Sequence, residues 1–209
     1  MNQVSKHISA ISTFLILSLT GCSTCLTCQN VVGTATTPTL GTNKKSPTYV
    51  GVVKKLSVFI LEPNFFASSS LVGQAPSPQA KKSGDAAIAS LEAALNSSLV
   101  PFLNTRGLSS ELATSAEKSS VVGVVNPAGS THLLVISANQ VRTQCRTGCQ
   151  STVIVKAVLT DAKSGALAWD GYLSVPEVSV FGSLGERDVQ QVGDLILSAL
   201  KENSLVSEK

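Results

Sequence analysis

The sequence predicts a two-layer α/β (α+β) sandwich in the order β-α-β-β-β-β-α, with a mixed, mostly antiparallel sheet and two helices on one face. Three observations carry the prediction. Two stretches repeat apolar residues at helical spacing, one from Gly84 to Thr105 and one ending near Asn203. Three stretches between them alternate apolar and polar residues and are joined by short links. The first helical stretch lies between two strand candidates, the order of a crossover unit with parallel strands.

Val52 to Leu61 is the first strand candidate, strongest in Leu56-Ser57-Val58-Phe59-Ile60-Leu61, and Pro63 stops it. Asn64 to Lys82 reads as a long Ser/Gln/Pro/Ala loop. Ser83 is placed to cap a helix striped by Ile88, Leu91, Leu95, Leu99, Phe102 and Leu103. Pro101 is expected to kink it or end its regular part, and Gly107 to stop it. Leu108 to Ala113 is a short second strand, while 114–130 fits either a strand or a buried turn. Thr131 to Thr143, Ser151 to Asp161 and Ala166 to Val175 form a meander with one apolar face. Gly165 supplies the positive φ in the turn Ala162-Lys163-Ser164-Gly165. Ser183 and Glu186 have capping-box spacing, and Val189, Val192, Ile196, Ala199 and Leu200 stripe the last helix.

Ahead of this domain lies a leader. Met1 to His7 is polar and carries Lys6; Ile8 to Leu19 is apolar but falls short of the ~20 residues that cross a bilayer. Leu19-Thr20-Gly21-Cys22 ends it and resembles the signal-peptidase-II site of bacterial lipoproteins. That resemblance implies a signal peptide over 1–21, cleavage before Cys22 and a diacylglyceryl thioether on its sulfur. Ser23, not Asp, follows the cysteine, which in such lipoproteins suggests the outer membrane. Buried methylenes contribute about 0.8 kcal/mol each, so two or three chains make a lasting anchor.

The 209 residues carry a net charge of only +3, which implies neither nucleic acid nor a strongly acidic partner. No further apolar run of ~20 residues suggests a spanning helix after Cys22. Lys44, Lys45, Lys54 and Lys55 precede the first acidic residue, Glu62, and read as solubilising charges or as attraction to anionic headgroups. Residues 22–48, rich in Thr with Pro38 and Pro47, read as an acylated flexible tether, and 49–205 as the single domain.

With Cys22 acylated, Cys25, Cys28, Cys145 and Cys149 remain, an even number in an oxidising compartment, and are candidate disulfide partners. Zinc ranks below disulfides for these pairs, so no metal ligand and no cofactor is assigned. Cys145 and Cys149 flank a hairpin loop that a bridge would stiffen.

Thr131-His132-Leu133-Leu134-Val135-Ile136 and the stretch Val155 to Trp169, with Asp161-Ala162-Lys163-Ser164-Gly165 between its strands, are similar to a pattern in small envelope lipoproteins. These share the fold of the amino-terminal domain of the Tol translocation protein. They include the curli-secretion lipoprotein and the activators of penicillin-binding proteins, and auxiliary lipoproteins of some ABC transport systems look alike in layout. The resemblance covers roughly Leu56 to Asn203 and implies accessory, non-catalytic roles.

Candidate chemistry is sparse. His132 opens a strand and reads as structural; Asp161 and Asp170 could be paired carboxylates but read first as a turn residue and a solvated one. Trp169 reads as core. No Walker, G-x-G-x-x-G, H-E-x-x-H or G-x-S-x-G pattern occurs. The expectation is therefore a non-enzymatic lipoprotein on the periplasmic face of the outer membrane, held by lipid at Cys22, whose domain binds an envelope protein or itself. The alternative is an auxiliary lipoprotein of an ABC-type transport or secretion system that handles an apolar ligand.

Overall fold

In a computed structural model, the described residues are 37–60, 77–113, 129–145, 149–176 and 185–207. The leader, Cys22, Cys25 and Cys28, the stretch 114–128 and Ser183 lie outside them. Eight elements follow in order: β1 (Thr39–Lys45), β2 (Leu56–Ile60), α1 (Pro78–Thr105), β3 (Ser110–Leu112), β4 (His132–Cys145), β5 (Cys149–Asp161), β6 (Leu167–Pro176) and α2 (Glu186–Glu202). They form one six-stranded sheet ordered β1-β6-β5-β4-β2-β3, with α1 and α2 packed on it and on each other.

The mixed pairing is as expected. β2 runs parallel to β3 and β4, and β4, β5 and β6 form an antiparallel meander. Alternation decides the buried face: Val153, Val155, Ala157 and Leu159 of β5 meet Leu91, Leu95 and Leu99 of α1 and Val192 and Ile196 of α2 in one apolar cluster. Side chains of this size contribute about 1.5–3 kcal/mol each when fully buried. Trp169 is fully buried and belongs to this core.

α1 is long and apolar enough, by composition alone, to pass for a membrane span. Its stripe from Ala87 to Leu103 is instead buried against the sheet and α2. It begins earlier than the spacing suggested: Ser77 is the N-cap, its hydroxyl accepting from Ala80 N at 3.2 Å, with Pro78 at the first helical position. Ser83 lies inside the helix and reaches Ser151 on β5. The helix also continues through Pro101. That proline is on the exposed face, so the carbonyl it leaves unbonded, that of Ser97, sits on the solvent side. Gly107, at φ 83, follows the cap Arg106 and stops the helix as expected.

Two further expectations need correction. α2 is capped by Gly185, whose N–H donates to the Asp188 carboxylate at 2.9 Å; Glu186 is its first residue. Residues 39–45, expected to lie within a flexible tether reaching residue 48, form a strand instead. Thr39–Lys45 pair antiparallel with β6 as an edge strand, so the order is β-β-α-β-β-β-β-α.

Candidate functional site

Among the described residues, buried Ser57, Ser110 and His132 gather at one end of the sheet, and topology explains why. β2, β3, β4 and β6 all begin there, β1 and β5 end there, and α1 and α2 return to it with their C-termini. Strand ends leave backbone groups without ladder partners, and side chains must satisfy them.

His132 opens β4, and Asp161, which closes β5, is its direct register partner. The segment after β1 brings a third member. Tyr49 Oη lies 2.5 Å from His132 Nε2 and donates to Asp161 Oδ2 at 3.1 Å. On the other side of the ring, Nδ1 lies 2.9 Å from Thr131 Oγ1, which itself accepts from the amides of Lys54 and Lys55. Protonation at Nε2 lets the ring donate to Tyr49 while Tyr49 donates to the carboxylate. Thr131 then offers its one proton to Nδ1 or to the Lys55 carbonyl 3.0 Å away.

The electrostatics match that picture. Burial holds the imidazole below its ordinary value, only partly countered by the Asp161 charge. Burial, then the hydrogen bond to Asp161, pushes the Tyr49 phenol up to about 12. The Asp161 carboxyl is held down at about 2, first by the Ser164 amide and hydroxyl and then by Lys163 and Tyr49. Those contacts make Asp161 the anchor of the β5–β6 turn: its Oδ1 accepts from Lys163 N, Ser164 N and Ser164 Oγ at 2.8–3.0 Å. Gly165 completes the turn at φ 71.

Although a phenol, an imidazole and a carboxylate in line resemble a catalytic relay, the chemistry here is that of a fastener. His132 is 2% exposed and both its nitrogens are engaged, so neither faces a substrate. A phenol pushed up to about 12 is a poor nucleophile at neutral pH. What the cluster does is hold the segment 46–55 to the sheet, with help from Ser46 N on Ala168 O and Val53 N on Leu205 O. Beside it, Lys55 pairs with Glu111 at 2.9 Å, and Ser130 donates to the same carboxylate oxygen while touching buried Ser57. The Lys55 contact is the main reason the Glu111 carboxyl is held low.

The other predicted residues separate. Asp170 stands opposite Val158, with Leu167 and Trp169 intervening between it and the Asp161 end of the ladder, so the two carboxylates are not paired. Cys145 and Cys149 form a disulfide, Cα–Cα 4.0 Å, at the far tip of the β4–β5 hairpin where they are register partners. Among the described residues no cluster of three or more His, Cys, Asp or Glu could hold a metal. Tyr49, Thr131 and Glu111 were not legible as partners, because Tyr49 and Asp161 are 112 positions apart.

Fold and site together define a two-layer α/β domain whose polar end fastens its own N-terminal segment. No family model and no curated protein matches the chain. Its fold is similar to several solved structures: the PelC dodecamer from Paraburkholderia phytofirmans, 14% identical, TM-score 0.42, covering 82% of this chain and 99% of that one; lipoprotein GNA1162 from Neisseria meningitidis, 16%, TM-score 0.39, covering 70% and 99%; and the LpoB C-terminal domain from Escherichia coli, 15%, TM-score 0.26, covering 62% and 88%.

Proposed function

We propose that the chain is a non-catalytic cell-envelope lipoprotein, anchored through lipid on Cys22 at the periplasmic face of the outer membrane. Its sandwich recognises another envelope protein or a second copy. The observation that carries this reading is the sequence Leu19-Thr20-Gly21-Cys22 at the end of a short apolar run. The saturated, buried state of His132 supports a binding role over a hydrolytic one. The alternative, a carrier of an apolar ligand, needs an apolar cavity. Between α1 and the sheet, where Ile60, Ile88, Leu91 and Ile136 meet, the space is about 20 Å³, room for about one water.

The test is intact-mass spectrometry of the protein extracted from membranes, with crosslinking in whole cells. Acylated Cys22 as the first residue, and crosslinked species containing a second protein or second copy, are expected. An unmodified Cys22 would sink the anchor; an acylated chain that crosslinks to nothing would sink the recognition role.

A further inference from the structure

Next to the fastener lies a cleft that the fastener does not use. It is about 360 Å³, a size ordinary for small-molecule sites, and lies between the lead-in to β2, the exit of α1, the last turns of α2 and the C-terminal tail. Its charged lining is entirely cationic: Lys54, Arg106 and Lys201, with Leu108, Leu197 and Val206 as apolar lining. The walls are fixed by backbone bonds, Val53 N to Leu205 O and Leu56 N to Ser109 O, both 2.8 Å.

Cations at helix C-termini have a simple explanation, since they offset the negative end of the helix dipole. Here that demand is met largely from within. The Phe102, Leu103 and Asn104 carbonyls of α1 accept from the amides of residues 106–108. In α2, the Ala199, Leu200 and Lys201 carbonyls accept from residues 203–205, and Lys45 Nζ covers the Asn203 carbonyl at 2.9 Å. Lys55–Glu111 and Arg106–Asp194 are ion pairs, and no ion pair to Lys54 or Lys201 is seen among the described residues. Arg106 engages Asp194 through one terminal nitrogen, leaving the rest of its fork.

We propose that this cleft binds a phosphate group carried by a small molecule or a lipid headgroup, with Lys54, Arg106 and Lys201 as its donors. A guanidinium fork flanked by two ammonium point charges suits an oxyanion with several acceptor oxygens. The inference stands on the cleft alone and holds whether or not Cys22 is acylated.

The experiment is a calorimetric titration of the full mature chain with inorganic phosphate, glycerol 3-phosphate and dihexanoyl phosphatidylglycerol. Each titration is repeated on the Lys54→Gln/Lys201→Gln double variant, with thermal unfolding as a control on folding. Saturable binding that the variant weakens by about tenfold or more is expected. Binding of all three ligands identifies phosphate itself as sufficient; binding of glycerol 3-phosphate and the lipid but not of inorganic phosphate identifies a glycerophosphate headgroup. In parallel, amine acylation of the wild-type chain should slow at Lys54 and Lys201 when ligand is present, a readout that needs no variant. No saturable binding, affinity unchanged in a folded double variant, or undiminished acylation of both lysines would overturn the proposal.

Discussion

Asn43 engages both ends of its amide. Its Oδ1 accepts from Trp169 Nε1 and from Asn203 Nδ2, each at 2.7 Å, and its Nδ2 donates to Glu202 at 2.9 Å. Replacement by Ala leaves the buried indole N–H without a partner, so Asn43→Ala should cost about 1–3 kcal/mol. The urea midpoint checks this, followed by the fluorescence of Trp169, the chain's one tryptophan. His132 makes a second prediction through pH. Its imidazole is depressed below the ordinary 6.5, so the unfolded chain takes up the proton first as pH falls. Its contribution is complete above pH 6.5 and is lost as pH falls through the depressed value. The urea midpoint of the wild type should therefore drop between pH 7 and pH 5 more steeply than that of His132→Gln; equal slopes would refute it. Tyr49 has the opposite sign: raised from 10.0 to about 12, it stabilises fully below pH 10 and ceases to as pH rises through 12. The sequence marks His132 as structural and Trp169 as core, but not the partners these side chains meet. Nothing local in Lys45-Ser46-Pro47-Thr48-Tyr49 announces that its tyrosine meets a histidine 83 positions on.

Elements with a strong period were legible, and those without one were not. The stripes of α1 and α2 and the alternation of β5 and β6 come from one-sided burial, which writes itself into the residue order. β1 lacks this: its Thr-Leu-Gly-Thr-Asn-Lys-Lys holds no fully buried residue, so pairing with β6, not an apolar face, makes it a strand. The start of α1 was missed although Ser77-Pro78 is a readable cap, because the surrounding Ser, Gln and Pro residues suggested loop. The crossing of the two helices is similarly hidden in a single residue. A Cβ on Gly193 would lie 2.5 Å from a ring carbon of Phe102. Alanine there gains about 1 kcal/mol of helix propensity, yet overpacking costs about 1–3 kcal/mol. Gly193→Ala should thus be net destabilising, and adding Phe102→Leu should recover much of the loss in chemical denaturation. The hairpin disulfide closes so small a ring that Cys145→Ser/Cys149→Ser should lower stability by about 2 kcal/mol or less. Thermal unfolding of oxidised and reduced protein measures it, and abolished folding would contradict it.

Across the whole molecule, strand order places the two ends of the sheet in different roles. The helix C-termini, the His132 fastener and the cationic cleft share one end; the disulfide tip and the first residue of β1 share the other. The layer arrangement could be read from residue order because it follows from which faces are apolar. The cleft could not, since Lys54, Arg106 and Lys201 come together only when three separate segments converge.

That the chain enters the sandwich through an edge strand has a mechanical consequence. A pull on residue 39 loads the bonds between Thr39–Lys45 and β6 first, ahead of any contact in the apolar layer. Peeling Thr39 to Thr42, ahead of Asn43, would free roughly 14 Å of chain at full extension. The Asn43 knot, and behind it the Tyr49 rivet, would arrest the tear before it reached β2. With the proposed anchor at Cys22 in place, slack of this kind would let the domain absorb a tug without unfolding.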